Sequence, residues 1–179
     1  MEFLDLIEKR RSVRAYDAAA PITKETIEKI IYAAQQAPSW KNSQTGRYYV
    51  AMSSEKVEEI RTNCLPEFNR ERTENVCAYI VTAFKKNVSG FSPDGAPVDS
   101  LENSWGAYDL GLQNQNLVLC AKELGYDTLI MGLKDNVALR KIFNILDDEQ
   151  IMSVIAIGKG AISPEKPKRK NTEEILKVM

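Results

Sequence analysis

Two short apolar runs, Cys77 to Phe84 and Ile151 to Gly158, constrain this 179-residue chain most. Each is bounded by polar residues and too short for a core helix, so each reads as a buried strand. Helical segments separate them, without the regular strand–helix–strand repeat that a parallel sheet requires. The expected fold class is therefore α+β, with helices packed on a mostly antiparallel central sheet. The other elements follow from local chemistry. Phe3, Leu4, Leu6 and Ile7 fall at helical spacing, and Thr23 is a good N-cap for a helix with its apolar stripe at Ile27, Ile30, Ile31 and Ala34. Residues 47–52 and 127–132 read as strands. Ser54 is expected to cap a short helix to about Asn63, with 65–75 a polar helix candidate, and a further short helix spans 136–144. A long helix runs from about Ser104 to a stop at Leu124-Gly125. Residues 86–104 hold Gly90, Pro93, Gly95 and Pro97 and read as a flexible, variable loop, and 160–179 as a polar C-terminal arm. One domain over residues 1–179 is expected from the length.

Composition removes several functions. The chain has no histidine, which excludes Ser-His-Asp and Cys-His catalysis and every histidine-containing metal site. Cys64, Cys77 and Cys120 lack a C-x-x-C spacing, so no metal site is expected, and they read as reduced thiols of a cytoplasmic protein. No apolar run is long enough to span a membrane, and Met1-Glu2-Phe3 does not open like a secretory leader. Redox or group-transfer chemistry on such a chain calls for a bound organic cofactor.

Charge is concentrated in two places. Lys9-Arg10-Arg11-Ser12-Val13-Arg14 and Lys166-Pro167-Lys168-Arg169-Lys170 hold eight of the 24 Lys and Arg and no acid, which leaves 16 bases against 25 acids elsewhere, a balance of −9. A nucleic-acid binder spreads its bases over a face. Here the rest of the chain would repel a polyanion, so a compact anion such as one phosphate group fits better, and no nucleic-acid partner is expected. In an extended segment Arg10, Ser12 and Arg14 would face one side and Arg11 the other. The same residues would equally make a solvated basic turn after a helix, and the tail alone would pass as a generic polybasic arm.

Other groups leave two readings each. Asn69 and Arg72 would share a helix face, as a recognition pair or as an exposed polar surface. Pro38-Ser39-Trp40-Lys41-Asn42-Ser43-Gln44 is dense in donors that could read ring carbonyls and nitrogens, or build ordinary turns. Gly132 after Met131 could admit a flat ring or simply end a strand. Gln113-Asn114-Gln115-Asn116 must bury some amides, most simply at a helix–helix or dimer contact. Gly158-Lys159-Gly160 lacks the context of a dinucleotide fingerprint.

Taken in order, these segments resemble the flavin-dependent nitroreductase family. Lys9 to Tyr16 is similar to its N-terminal R-x-S-x-R motif, and Pro38-Ser39-x-x-Asn42-x-Gln44 to its P-S-x-x-N-x-Q loop. Asn69 with Arg72 resembles its middle Asn-plus-base pair, and Pro167 to Lys170 with Glu174 its closing basic arm. The resemblance implies an α-β-α sandwich and an intertwined homodimer, with two FMN sites at the interface and the C-terminal arm exchanged. It implies that Arg10, Ser12 and Arg14, with Arg11 beside them, hold the FMN phosphate, ribityl chain and pyrimidine edge. Lys168 and Lys170 would close over the phosphate, and Asn69 and Arg72 would meet the pyrimidine side. Pro38, Ser39 and Asn42 would come from the opposite subunit, while Met131 and Gly132 would lie beside flavin N5. The activity implied is ping-pong transfer from NADH or NADPH, through flavin N5 rather than a catalytic side chain, to a nitroaromatic, quinone or activated alkene. A specialised flavin enzyme of the same fold, a flavin-storing or flavin-sensing protein, and a small basic-armed nucleic-acid binder are the alternatives. Trp40, expected in the substrate pocket, stands where a small residue is usual and would narrow that pocket or stack beside the flavin, and Thr45-Gly46 replaces the common Pro-Trp.

Overall fold

The computed structural model describes residues 1–18 and 22–179. In chain order the elements are α1 (Phe3–Lys9), β1 (Tyr16–Asp17), α2 (Lys24–Gln35), β2 (Gly46–Ala51), α3 (Ser54–Cys64), α4 (Glu67–Arg72), β3 (Ala78–Lys85), α5 (Ser104–Glu123), β4 (Asp127–Met131), α6 (Asn136–Phe143), β5 (Glu149–Gly160) and α7 (Thr172–Ile175). The two apolar runs are neighbours at the centre of one antiparallel sheet. β2 pairs with β3 and β3 with β5, and β5 also takes β4 and, at its C-terminal end, β1.

Both runs are apolar throughout because both faces of the sheet are covered. Tyr79, Val81 and Ala83 of β3 pack with Ile60 and Cys64 of α3 and Leu139 of α6. Their alternates Ala78 and Ile80 pack with Ile27, Ile30 and Ala34 of α2 and Leu117, Val118 and Ala121 of α5. The expected α+β sandwich is what forms. β5 keeps this alternation only by way of a bulge. Thr82 pairs with Ser153 but Ala83 with Ile151, leaving Met152 as the extra residue. The shift puts Ile151 on the same face as Val154 and Ala156, where a regular strand would turn it away.

Caps define the helix ends. Thr23 Oγ1 accepts from Thr26 N at 3.2 Å, and Asp135 Oδ1 accepts from Val137 N and Ala138 N at 2.8 and 3.0 Å. The α3 cap is Ser53 rather than Ser54, since the Ser53 hydroxyl is the one that meets Lys56 N. α5 stops at Gly125, whose φ of 80° lets Tyr126 N return to Ala121 O at 2.8 Å.

Candidate functional site

Residues 12–14 run beside β4. Val13 N donates to Thr128 O at 3.1 Å, and Ser12 bridges Thr128 in parallel. Val13 is 1 % exposed and belongs to the core, so it anchors this stretch and turns its neighbour Arg14 outward. Arg14 then lines a cavity of about 200 Å³ with Phe68, Asn69 and Arg72 of α4 and Met131 and Gly132 at the end of β4. Five residues singled out in the sequence thus meet at one place, from three segments far apart in the chain.

α4 is held there by a relay of hydrogen bonds. Tyr79 OH of β3 donates to Thr73 Oγ1, Thr73 Oγ1 to Asn69 O, both at 2.6 Å, and Asn69 Nδ2 to Leu133 O at 3.3 Å. Asn69 is consequently buried, and the exposed-helix alternative does not apply to it. Arg72 lies over the Phe68 ring at 5.2 Å, and both line the cavity. A Cβ added at Gly132 would meet no atom within 4 Å. The packing of the chain itself therefore does not demand glycine there, and the backbone is open to close approach.

The basic clusters also come together. Lys166 Nζ pairs with Glu8 at 3.3 Å, bringing the arm back to α1. The half-buried Arg10 guanidinium is held below its ordinary pKa, first by burial and then by the charges of Arg11 and Arg169. This crowding of cations is what a bound anion would relieve. The charge of Arg169 on the arm adds to this effect at Arg10. Lys168, Arg169 and Lys170 are all exposed. Arg11 turns to a separate cavity of about 320 Å³ with Lys9, Lys122 and Asp127, and its Nη1 donates to Arg10 O at 2.6 Å.

Pro38, Ser39 and Trp40 lie elsewhere, in a pocket of about 250 Å³ completed by Trp105, Tyr108, Asp109 and Leu112 of α5. It shares no lining residue with the Arg14 cavity. Asn42 is exposed next to this pocket, with a φ of 56°. Trp40 and Trp105 are 4.7 Å apart at 50°, and Tyr108 sits edge-on to Trp105 at 6.0 Å. Residues 86–104 are tied in at two points: Ser89 Oγ donates to Asp109 at 2.7 Å, and Trp105 Nε1 donates to Asp99 at 3.0 Å. Trp105, Tyr108 and Asp109 were not among the expected site residues. A signal for Asp109 existed: it is the only charged residue in 104–121 and lies on the stripe of Gly106, Leu110, Gln113 and Leu117. Of the four amides, Gln113 and Asn114 face the sheet, bonding Tyr48 OH at 2.9 Å and Thr82 Oγ1 at 3.4 Å, and Asn116 reaches Ala33 O of α2 at 3.2 Å.

The profile of the nitroreductase family matches residues 7–159. The chain belongs to the nitroreductase family. Among its relatives is YdgI of Bacillus subtilis, which carries the name of an NAD(P)H nitroreductase, 28 % identical over 89 % of each chain. A protein of Archaeoglobus fulgidus, named as an NADH dehydrogenase/NAD(P)H nitroreductase, is 30 % identical over 88 % of this chain and 84 % of its own. The fold is shared with a protein of Exiguobacterium sibiricum named as a nitroreductase and solved in complex with FMN. That structure has a TM-score of 0.87 and 24 % identity, covering 100 % of this chain and 98 % of the other. No helix among the described residues of this nitroreductase-family chain is long and apolar enough to cross a membrane.

Beside the Arg14 cavity, Leu133 also lines a larger one of about 610 Å³ with Cys64, Pro66 and Lys134. The Cys64 thiol is pushed up to about 11, first by burial and then by Asp135 and Glu59. An unfolded cysteine ionises near ~8.5. The native thiol thus contributes stability that is complete below about pH 8.5 and lost as the pH rises toward 11. Native Cys64 is expected to react with a soluble disulfide at pH 8 at least about 100-fold more slowly than in the urea-unfolded chain. Mass spectrometry of the labelled peptides measures this, and comparable rates would show the thiol to be accessible.

Proposed function

We propose that this chain is an FMN-dependent oxidoreductase, taking reducing equivalents from NAD(P)H and passing them to a small acceptor. A nitroaromatic, a quinone or an activated alkene would serve, the two substrates using the site in turn. The observation that carries this is the convergence of Arg14, Asn69, Arg72, Met131 and Gly132 on one cavity.

The residues present fit the group. Arg14 and Arg72 offer charged donors to ring carbonyls, Asn69 carries an amide whose carbonyl side is open to a further bond, and Gly132 leaves room for a flat ring at the strand end. Arg10, with Ser12 and the arm residues Lys168 and Lys170, would hold the phosphate, which removes the mutual repulsion of the cluster. Cations along the cavity wall favour negative charge on whatever ring they hold. When bound, FMN supplies the two-electron redox chemistry that no side chain of this chain can provide.

The cavity of about 200 Å³ falls below the roughly 300–1,000 Å³ of complete small-molecule sites. It is one wall, and Pro38, Ser39 and Asn42 are too separate in the single chain to close it. A homodimer would complete the site by bringing the partner's copy of that loop over it. Phe3, Leu4 and Ile7 on α1, and Ile175, Leu176 and Val178 on the arm, are exposed apolar residues suited to such an interface with the arm exchanged.

The purified protein is expected to be yellow or to take up FMN one per chain, and NADH or NADPH is expected to bleach the visible flavin band. A colourless protein that takes up no FMN would refute the proposal. Bound flavin that neither nicotinamide bleaches would make the chain a flavin store rather than an enzyme.

A further inference from the structure

Asp109 is 3 % exposed, yet among the described residues its hydrogen-bonding partners are neutral. The Trp40 backbone N–H lies 3.1 and 3.0 Å from its two oxygens, and Ser89 Oγ donates at 2.7 Å. Ser89 Oγ in turn meets Ser43 Oγ at 2.8 Å and Thr45 Oγ1 at 3.4 Å. One carboxylate on α5 is therefore the root of a network that grips the loop at Trp40 and again at Ser43 and Thr45.

Burying a carboxylate is costly unless every lone pair is used, and an apolar residue on this stripe would pack α5 equally well. The carboxylate gains its place through what it holds. Between its two grips, Lys41, Asn42 and Gln44 adopt φ values of 46°, 56° and 50°, a left-handed conformation that non-glycine residues keep only where the surroundings impose it. Ser39 Oγ adds a bond from Gln44 N at 3.1 Å that closes the loop on itself. The outcome is a fixed Trp40, whose ring meets Trp105 at 4.7 Å.

We infer that Asp109 is a positioning residue: by holding the Trp40 backbone it sets the Trp40–Trp105–Tyr108 wall of the adjoining pocket to receive an aromatic acceptor ring. The pocket, of about 250 Å³, is lined by Trp40, Trp105, Tyr108, Pro38 and Leu112 with the polar Ser39 and Asp109, and suits a single ring rather than a whole large substrate. The substrate part of this inference rests on the oxidoreductase reading above. The positioning part does not, because the Asp109 contacts are made within one chain.

The test compares Asp109→Ala with the unaltered FMN-loaded protein. An alanine offers no acceptor to the Trp40 N–H or to Ser89 Oγ, so the grip on Trp40 is lost. Exchange of the Trp40 amide proton is expected to quicken about tenfold, the equivalent of one hydrogen bond, with loss of the near-ultraviolet dichroism of the tryptophan pair. The KM for a nitroaromatic is expected to rise about fivefold more than that for ferricyanide, which needs no ring pocket. Ser89→Ala, which leaves the carboxylate in place, is expected to quicken Trp40 exchange by a smaller factor and keeps the test open if the first variant does not fold. Unchanged Trp40 exchange in the variants that fold would overturn the positioning role. Faster exchange with equal KM changes for the two acceptors would overturn the aromatic-ring assignment. A protein that binds no FMN would sink the oxidoreductase reading while exchange and dichroism still decide the role of Asp109.

Discussion

Arg14→Ala is expected to weaken FMN binding by roughly 10- to 100-fold, the range set by one charge-assisted hydrogen bond of about 1.5–3 kcal/mol. The substitution tests the cavity cleanly because Arg14 is exposed while its neighbour Val13 carries the packing. The backbone bond from Val13 N to Thr128 O survives it. The control is Lys86→Ala, at a position that lines neither the Arg14 cavity nor the aromatic pocket. Titration of the apoprotein by quenching of FMN fluorescence measures both. The Arg14 deficit should narrow as salt is raised, since part of it is screened Coulomb attraction. Equal affinity in Arg14→Ala and the unaltered chain would remove FMN from this cavity.

Ile155→Ala is expected to cost about 2–5 kcal/mol of stability, the largest effect of a single truncation proposed for this chain. Ile155 is 0 % exposed on central β5, paired with Ile80 of β3 and Ile130 of β4, beneath the α2–α5 layer. Neighbours fixed in two strands and two helices cannot collapse into the space left behind. For a chain of this length a loss near ~3 kcal/mol corresponds to a melting point lower by roughly 6–12 °C. Val137→Ala, on the exposed side of α6, is expected to stay within about 0.5 kcal/mol. Urea unfolding of the two variants side by side gives the comparison. Similar midpoints would mean that β5 is not the centre of the core.

Much of the scaffold was readable in advance because its determinants act over a few residues. Thr23 caps α2 through a hydroxyl three residues from its partner amide, and Gly125 ends α5 because its own φ must be positive. The β3 and β5 runs announced their burial through uninterrupted apolar character. The two-residue β1 was missed because Tyr16–Asp17 carries no strand pattern of its own and exists by pairing with the end of β5. The bulge at Met152 was equally invisible, since it reflects how Thr82 and Ala83 register across the sheet.

The candidate site divides along the same line. Residue types, order and charge balance marked Arg10, Ser12, Arg14, the 38–44 loop, Asn69 and Arg72, Met131 and Gly132, and the basic arm as chemically unusual. Their arrangement came from long-range pairing. β4 lies against β5 and beside residues 12–14, and the Tyr79–Thr73–Asn69 relay pins α4 to the exit of β4, so Arg14, Asn69, Arg72 and Gly132 meet. The same packing sends Arg11 to another cavity, ties the arm to α1 through Lys166 and Glu8, and places Asp109 beneath Trp40. Local propensity is carried by neighbours in the chain and so can be read along it. The convergence of distant side chains depends on strand register and helix packing, which no single segment encodes.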